Sequence, residues 1–498
     1  MVAVLIAVAA VSVAAGRSDP ASAAPWNSGK TCVSRPTPLP SDTSLHVVSD
    51  RAHGRLHTFT IESPAVGLTH VNVLVPEHYS RSSSTRYPVL YLLHGALSSY
   101  ADWVSTKTGG GIPLGGNAQA IVGHLPIIVV MPDDSPIGSY SDWYGISTKD
   151  AAMSPVPATP SWETYHIDEL IPWVDSTFHT KADPAGRAIA GLSSGGGGAA
   201  KYVTGHPGVF GFMGTFSGAV DNDLVDGTDN WYNSSNSLDA LGPPDQHCTF
   251  GDPSTDNPFN QLYYWYQNDP TYEARNLQGV KLFVASGNGT PTSADAPINP
   301  AIRAYEGGVE TVVDDMSHHF VAAVQAAGLG ANVTTDFYGD GSHAWVYWQR
   351  DLVAYLRWLQ PQLHRTVSRP SDFSFRTARA TSAAWGWSFH YLSGLSVPNV
   401  NTAEQFVYLS HISANGLTAS GNGTLQVTTP RGSYPSASLQ TLTVGQVTMV
   451  ARANRAGELT FSVAIGPPAT SQQVDFPASG PPPTMHTVVV SIHRGTGR

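Results

Sequence analysis

Short apolar segments that stop at a glycine or a proline recur along much of the chain. They are too short for helices, and nearly every position in them is apolar. Such segments are typical of strands that are buried on both faces of a parallel sheet. Six segments follow this pattern, over residues 89–93, 127–131, 188–190, 210–216, 281–285 and 333–338.

The stretches between these strands are long enough for helices. Apolar side chains recur at helical spacing from Ile167 onward, Ser161 has the residue type of an N-cap, and Pro172 predicts a kink. Residues 56–61 and 70–75 are β-type runs that are close enough to pair as antiparallel strands. The alternation of strands and helices predicts a doubly wound α/β sheet, with a ligand site at the carboxyl ends of its strands.

The pattern changes beyond Pro361. Residues 370–498 contain no Lys and almost no helix-length pattern, and short runs rich in Val, Thr and Ser alternate with glycine and proline. The runs cover residues 424–429, 438–444, 447–451, 459–464 and 487–492. Short strands at such spacing predict a sandwich. We therefore expect an α/β domain over residues 46–367 and a smaller all-β, sandwich-like accessory domain over residues 370–498.

The N-terminus has the layout of a secretory signal peptide. Residues 2–15 are largely apolar, and small residues in an Ala-x-Ala pattern precede Pro25. The apolar run is shorter than the ~20 residues that a membrane-spanning helix requires. We predict a signal peptide over residues 1–24, an extended lead-in over residues 25–45, and a mature protein that is secreted, extracellular or cell-wall associated.

Cysteine content and charge limit the partners of the chain. Cys32 and Cys248 are the only cysteines, and in an exported protein they predict one disulfide, with two separate buried thiols as the alternative. The chain has no Cys-x-x-Cys or His-Glu-x-x-His motif, so we expect no metal and no cofactor. A net charge of −11, with six Lys against twenty Arg, leaves no basic stripe for a phosphate backbone. Nucleic-acid binding is excluded.

The strongest local signal is the sequence Gly-Leu-Ser-Ser-Gly over residues 191–195. It lies between a short apolar strand and a segment that can form a helix. This is the arrangement of a nucleophile elbow, in which glycines allow a tight turn that lifts the serine above the sheet. Ser193 is the predicted nucleophile by its place in the motif, and Ser194 is the alternative.

Two other strand ends supply groups that a serine nucleophile needs. Residues 92–96, with the sequence Leu-Leu-His-Gly-Ala, end an early strand. Beside a nucleophile elbow, the oxyanion-hole N–H groups come from such a loop and from the residue after the nucleophile, here Ala96 and Ser194. His343 follows the last predicted strand and satisfies the chain order Ser, acid, His. It is the predicted base that takes the proton of Ser193.

The acidic partner of His343 has two candidates. Asp295 lies in the loop after the strand over residues 281–285, and Glu310 lies further along in a segment with a helical pattern. Either carboxylate could orient the imidazole and stabilise its protonated form. Spacing alone favours Asp295 slightly.

Six segments resemble, in the family's order, the antigen 85 mycolyltransferases within the wider esterase (esterase D-like) family of α/β hydrolases. They cover residues 91–95, 141–144, 162–164, 191–193, 287–291 and 341–348. The resemblance implies an α/β-hydrolase fold for residues 46–367. In that family the acid is a glutamate on the helix after a Gly-Asn-Gly-Thr-Pro loop. Glu310 matches this position with a one-residue insertion, so the resemblance favours Glu310 and leaves Asp295 as the alternative. His94 and Trp345 lie in matched segments, and we expect them to contact the substrate.

The resemblance implies acyl transfer from a lipid-like acyl ester to an alcohol or sugar acceptor. Where the family has an Asp-Gly-Leu-Arg loop that engages trehalose, residues 94–97 read His-Gly-Ala-Leu, so both sugar-contacting side chains are absent. Ester hydrolysis by a carboxylesterase, with water as acceptor, is therefore the alternative. A non-catalytic cell-wall-binding protein is a third hypothesis. Trp385 and Trp387 could bind a cell-wall glycan, although such aromatic residues are more often part of a sandwich core.

Overall fold

The computed structural model describes residues 32–34, 43–136, 138–147, 159–221, 249–251, 262–393, 405–469 and 484–494. The strands before residue 340 are β1 (Cys32–Ser34), β2 (His46–His53), β3 (Leu56–Ser63), β4 (Gly67–Leu74), β5 (Val89–Leu93), β6 (Thr108–Gly109), β7 (Ile112–Pro113), β8 (Ile128–Pro132), β9 (Gly145–Ser147), β10 (Arg187–Leu192), β11 (Phe212–Phe216), β12 (Lys281–Ser286) and β13 (Val333–Phe337). The α-helices are α1 (Ala118–Val122), α2 (Trp162–Thr164), α3 (Ile171–Thr177), α4 (Ser194–Gly205), α5 (Leu262–Gln267), α6 (Pro300–Ala326) and α7 (Trp345–Gln362).

Nine of these strands form one mixed sheet in the order β13-β12-β11-β10-β5-β8-β4-β3-β2. The strands from β13 to β8 are parallel, and β4, β3 and β2 continue the sheet antiparallel. The predicted antiparallel pair is therefore β3 and β4. The carboxyl ends of β5, β10, β12 and β13 lie at one edge of the sheet, where ligand sites of α/β folds are found.

Helices cover both faces of the sheet. Successive side chains of a strand point to opposite faces. Leu90 and Leu92 of β5 belong to a buried apolar cluster with α1 and α7, whereas Tyr91 and Leu93 belong to a second cluster with α2, α3, α4 and α6. The predicted doubly wound α/β sheet is confirmed.

The helical segment from α2 to α3 departs from the prediction at its start. The side chain of Ser161 makes no capping hydrogen bond. The Asp142 carboxylate accepts hydrogen bonds from the Thr164 amide at 2.9 Å and from its hydroxyl at 2.7 Å. The irregularity expected at Pro172 takes the form of a π-helical stretch, Tyr165–Leu170, that ends just before it. Proline lacks the N–H that would continue the helical hydrogen bonds.

The remainder of the described chain is all β. Its strands are β14 (Phe373–Thr377), β15 (Thr381–Ala384), β16 (Trp387–Ser393), β17 (Val407–Ser413), β18 (Gly416–Gly421), β19 (Gly423–Thr428), β20 (Leu439–Val444), β21 (Val447–Arg452), β22 (Thr460–Gly466) and β23 (His486–Arg494). They form two antiparallel sheets, β14-β17-β18-β23-β20-β21 and β15-β16-β19-β22, which confirms a separate all-β C-terminal region. Trp385 and Trp387 are 7% and 2% exposed within its core. Their rings are not available on the surface to bind a glycan, so the core alternative is correct for both.

Buried ion pairs join the C-terminal region to the α/β region. The Arg376 guanidinium donates through Nε to the Glu273 carboxylate at 3.2 Å and lies 3.6 Å from the centre of the Tyr272 ring. Arg379 pairs with the buried carboxylate of Glu163. Burial opposes the ionisation of Glu163, but the Arg379 charge and the hydrogen bond from His206 together outweigh burial and lower the pKa of this carboxyl. Both arginines belong to the C-terminal region, and all three of their partners belong to the α/β region.

Candidate active site

Ser193 lies in a strained turn between β10 and α4. Its φ is 53° and its ψ is −124°, a conformation that L side chains rarely adopt. A Cβ atom on Gly191 would lie 2.3 Å from the Gly195 carbonyl oxygen, and one on Gly195 would lie 2.3 Å from the His94 carbonyl oxygen. Only glycine fits at either place. The turn is therefore tight enough to hold Ser193 at the carboxyl edge of the sheet, as the motif predicts.

The loop after β5 lies directly against this turn. A Cβ atom on Gly95 would lie 3.2 Å from the Cβ of Ser193. In the described part of the chain, the backbone amides of Ala96 and Ser194 donate no hydrogen bond. Ser194 is the first residue of α4, so its N–H belongs to the unpaired donors of the helix N-terminus and carries the positive end of the helix dipole. Two available N–H groups beside a serine suit a developing oxyanion.

His343 joins Ser193 to a carboxylate. Its Nε2 lies 2.9 Å from the Ser193 Oγ, and its Nδ1 lies 2.8 Å from the Glu310 Oε2. A carboxylate can only accept, so Nδ1 carries the proton and Nε2 presents its lone pair to the serine hydroxyl. The imidazole is 12% exposed, and the Trp348 ring packs edge-on against it at 4.9 Å. The structure thus brings together Ser193 from the turn after β10, His343 from the loop after β13 and Glu310 from helix α6.

The Glu310 carboxylate is fully buried on α6 and is held in place through its other oxygen. Oε1 accepts hydrogen bonds from the Ser217 hydroxyl at 2.7 Å, the Gly287 amide at 2.8 Å and the Ser286 hydroxyl at 3.3 Å. These donors follow β11 and β12, the strands between Ser193 and His343 in the sheet. Oε2 is consequently left for His343.

Asp295, the alternative acid, does not contact the imidazole. Its buried carboxylate accepts hydrogen bonds from the Ser342 hydroxyl at 2.6 Å, the Tyr347 hydroxyl at 2.5 Å and the Thr292 amide at 2.6 Å. Burial raises the pKa of Asp295, but these hydrogen bonds outweigh burial and lower it overall. The geometry therefore favours Glu310 over Asp295 as the acidic partner of His343.

Glu306 stands on α6 one turn before Glu310. Burial and the charge of Asp295 raise the pKa of Glu306 to about 7. Its backbone carbonyl accepts a hydrogen bond from the His343 amide at 3.2 Å. The side chain makes no contact with the imidazole among the described hydrogen bonds, so Glu306 acts on His343 through its backbone.

The expectation that His94 contacts the substrate is wrong. The side chain is 1% exposed, and both ring nitrogens are used within the protein. Nδ1 donates to the Gly95 carbonyl at 2.8 Å, and Nε2 accepts from the Asp134 amide at 3.1 Å. His94 therefore orders the loop that carries Ala96. Trp345, the other expected contact, is partly buried at the start of α7, and its ring packs edge-on against Trp103 at 5.3 Å.

Sequence reasoning missed the groups that hold the two carboxylates. Ser217 directly follows the predicted strand over residues 210–216, and this position was the one available signal. Ser342 and Tyr347 flank His343 in sequence, but nothing in their spacing indicates that they share Asp295 as an acceptor. Such partners depend on how separate loops meet in space.

Three expectations concern features that the described residues do not test. Outside the described residues lie the signal peptide over residues 1–24, most of the extended lead-in, and Cys248. The disulfide between Cys32 and Cys248 therefore stays a prediction.

Within the described ranges, no helix is long and apolar enough to cross a membrane. The same residues contain no group of three or more His, Cys, Asp or Glu side chains arranged to hold a metal ion.

Comparison with known proteins identifies the family. The family described as "Putative esterase" matches residues 67–359, more than half of the chain. Esterase Rv1288 of Mycobacterium tuberculosis (strain ATCC 25618 / H37Rv) is 35% identical over 193 residues, which are 38% of this chain and 38% of that protein. The chain thus spans well under half the length of this esterase.

Two further similarities concern the antigen 85 group. Diacylglycerol acyltransferase/mycolyltransferase Ag85B of Mycobacterium leprae (strain TN) is 29% identical over 293 residues, which are 56% of this chain and 76% of that protein. The solved structure of Mycobacterium tuberculosis MPT51 (FbpC1) is 22% identical with a TM-score of 0.46, covering 61% of this chain and 97% of that chain. The expected resemblance is confirmed, and the match over residues 67–359 shows that the chain belongs to the esterase family.

Proposed function

We propose that this chain is a secreted serine acyltransferase, similar to the mycolyltransferases, which forms an acyl-enzyme on Ser193 and passes the acyl group to an alcohol. The observation that carries the proposal is the hydrogen-bonded series from the Ser193 Oγ through His343 to Glu310. Residues 46–367 form the proposed catalytic domain, and residues 370–498 form the proposed accessory domain.

In the first half of the reaction, the Ser193 Oγ attacks the carbonyl carbon of an acyl ester, and His343 Nε2 takes the hydroxyl proton. Glu310 holds the proton on Nδ1 and stabilises the imidazolium that forms. The amides of Ala96 and Ser194 receive the negative oxygen, and one such donor supplies about 3 kcal/mol of transition-state stabilisation. His343 Nε2 then protonates the leaving alkoxide, and the acyl group stays on Ser193.

In the second half, an acceptor hydroxyl gives its proton to His343 Nε2 and its oxygen attacks the acyl carbon. The same amides hold the second oxyanion, and the proton returns to the Ser193 Oγ as the new ester leaves. The relatives support an alcohol as acceptor, since Ag85B is named as a diacylglycerol acyltransferase and mycolyltransferase.

Carboxylesterase activity, with water as acceptor, is the second candidate. The observation that favours it is the loop over residues 94–97, which has neither the acidic nor the basic sugar-contacting side chain of the mycolyltransferases. His94, at the place of the acidic residue, is buried and bonded within the protein. The esterase among the relatives agrees with this alternative.

The test of the mechanism is hydrolysis of a p-nitrophenyl ester by the wild type and by Ser193→Ala. We expect the turnover of Ser193→Ala to fall at least 10³-fold, because the nucleophile is lost. Ser84→Ala is the matched control, since Ser84 is an exposed loop serine, and it should keep wild-type turnover. Wild-type turnover in Ser193→Ala would contradict catalysis by Ser193 and would favour the hypothesis of a non-catalytic protein.

Product analysis separates the two enzymatic candidates. The wild type is given a long-chain acyl donor together with glycerol or a sugar, and the acylated acceptor and the free acid are both quantified. Acylated acceptor as the main product is the expected result. Free acid alone, at every acceptor concentration, would assign the chain as a carboxylesterase.

A further inference from the structure

We propose that Asp295 is a positioning residue that holds the His343 loop from both sides of the histidine. This inference rests on the proposed function of Ser193, His343 and Glu310. The two carboxylates near His343 then have separate tasks, because Glu310 binds the imidazole and Asp295 binds the residues that flank it.

The contacts of Asp295 surround the histidine in sequence. Oδ1 accepts from Ser342, the residue directly before His343, and Oδ2 accepts from Tyr347, which lies one helical turn after it. The Thr292 amide donates to Oδ2 as well, and the Thr292 hydroxyl lies 2.7 Å from the Tyr347 hydroxyl. One side chain therefore ties the loop after β12 to both ends of the His343 segment.

Burial makes these contacts hard to replace. Asp295 and Ser342 are each 0% exposed, and Tyr347 is 7% exposed, so water cannot take over a lost hydrogen bond. Breaking a hydrogen bond to a buried charged group costs more than breaking one at the surface. The hydrogen bond from the Thr292 amide to Asp295 is one half of a capping box between these two residues. This capping box fixes the position of Asp295 itself.

The His343 segment, between β13 and α7, is otherwise held mainly through its backbone. The carbonyls of Gly339 and Gly341 accept from the amides of Asn288 and Gly289 at 2.8 and 2.9 Å, and the His343 amide donates to the Glu306 carbonyl at 3.2 Å. Asp295 adds side-chain hydrogen bonds to Ser342 and Tyr347. We therefore expect the distance of 2.9 Å between His343 Nε2 and the Ser193 Oγ to depend on Asp295.

The role predicts a specific kinetic signature. A displacement of about 1 Å in a catalytic group can lower the rate about 10²-fold without changing substrate binding. Loss of Asp295 should therefore reduce kcat and leave KM unchanged. A residue that only supported the fold would lower apparent kcat by reducing the amount of folded enzyme, also at unchanged KM. We therefore express kcat per folded molecule, with the folded fraction measured by near-UV circular dichroism, and expect the fall in kcat to remain after this normalisation.

The experiment compares Asp295→Asn with Asp340→Asn in the p-nitrophenyl ester assay. Asparagine keeps the acceptor for Ser342 but turns an N–H₂ group toward the Thr292 amide, which loses its acceptor, and the Tyr347 hydroxyl has to accept where it donated before. We expect kcat of Asp295→Asn to fall about 10- to 100-fold, with KM within twofold of the wild type. Asp340 is an exposed acid on the same loop, and its side-chain hydrogen bond within the described residues is to Asn288, so Asp340→Asn should keep wild-type kcat.

Two milder variants keep the proposal testable if Asp295→Asn does not fold. Ser342→Ala and Tyr347→Phe each remove one partner of Asp295, and each should lower kcat several-fold with unchanged KM. Because Asp295→Asn disturbs the contact with Tyr347 at Oδ2, Tyr347→Phe made in an Asp295→Asn enzyme should add less than it does in the wild type. Wild-type kcat in Asp295→Asn, or in both milder variants, would overturn the proposal.

A third outcome concerns the identity of the acid. A fall of about 10⁴-fold in Asp295→Asn, with near-normal turnover in a Glu310→Gln enzyme, would make Asp295 the triad acid and overturn the positioning role. Retained activity in Ser193→Ala would instead overturn the proposed function, whatever Asp295→Asn shows. The two failures are thus distinguishable.

Discussion

Each oxygen of the Glu310 carboxylate has a different set of partners, and this difference selects the tautomer of His343. Oε1 takes three donors from the ends of β11 and β12, and Oε2 takes only the His343 Nδ1 proton. The imidazole is therefore presented to Ser193 in the one tautomer that can remove a proton. This selection of the tautomer requires a side chain that accepts hydrogen bonds at both terminal atoms. A carboxylate does so, whereas an amide accepts at one atom and donates at the other.

Glu310→Gln tests this selection. The amide has one N–H₂ group, which must face either the His343 Nδ1 or the donors at Oε1, and both are donors. We expect kcat to fall at least 10²-fold through loss of the correct tautomer, as an acid-to-amide change does in serine enzymes. Asp315→Asn, an exposed acid on the same helix, is the control and should keep full kcat. Near-wild-type turnover in Glu310→Gln would rule out Glu310 as the acid.

The residues of the site differ in how far sequence could predict them. Ser193 and His343 stand in local motifs whose geometry is set by neighbouring residues, and both lie where those motifs predict. Glu310 could be selected over Asp295 only through a family resemblance, because spacing alone slightly favours Asp295. The error at His94 has a physical cause, since a histidine at a strand end can bond to its own loop as readily as to a ligand.

At the scale of elements, α4 is a helix whose first turns should be weak. It contains Gly195, Gly196, Gly197 and Gly198 in succession, and each glycine in a helix interior costs about 1 kcal/mol relative to alanine. Close packing outweighs this cost. A Cβ on Gly197 would lie 2.1 Å from the Ala219 carbonyl oxygen, and one on Gly198 would lie 2.4 Å from the Tyr140 ring. The helix propensity of these residues does not predict a helix here. The helix was predicted because the segment follows the strand and turn of the nucleophile elbow.

Gly198→Ala and Gly308→Ala should have opposite effects on stability. Gly198 has no room for a methyl group, so we expect the free energy of unfolding to fall by about 1–3 kcal/mol from overpacking. Gly308 lies inside α6 with nothing within 4 Å of its Cβ position, so alanine there should raise the free energy of unfolding by about 1 kcal/mol. Urea denaturation measures both values. Stabilisation by Gly198→Ala would contradict the packing argument.

At the scale of the whole molecule, the C-terminal region is attached through charge as well as through apolar contact. Arg376 and Asn276 exchange hydrogen bonds between side chain and backbone, and Asn276 also donates to the Glu273 carboxylate at 2.8 Å. Sequence separated the two regions correctly by composition. The sequence did not predict this contact. In a β-rich segment, a buried arginine with a partner cannot be distinguished by sequence from an exposed arginine.

Arg376→Ala tests this contact. Removing the arginine leaves the Glu273 carboxylate buried without its cation, which typically costs about 3–5 kcal/mol. We therefore expect a clear fall in the thermal midpoint. Arg455→Ala, an exposed arginine of the same region, should leave the midpoint unchanged. Equal midpoints for the two variants would show that the ion pair contributes little to the assembly of the molecule.

The contact between the Gly95 loop and the Ser193 turn also limits how the site can evolve. A Cβ on Gly195 would collide with the His94 carbonyl oxygen, and one on Gly95 would displace the Leu192 side chain and press on Ser193. We therefore expect a substitution at either place to lower activity toward every ester alike. New substrate preferences must therefore arise at positions that leave the contact intact. Leu97 is such a position, since it follows the same loop and is 59% exposed. In a selected library, we expect variation to collect at residue 97 while residues 95 and 195 stay fixed.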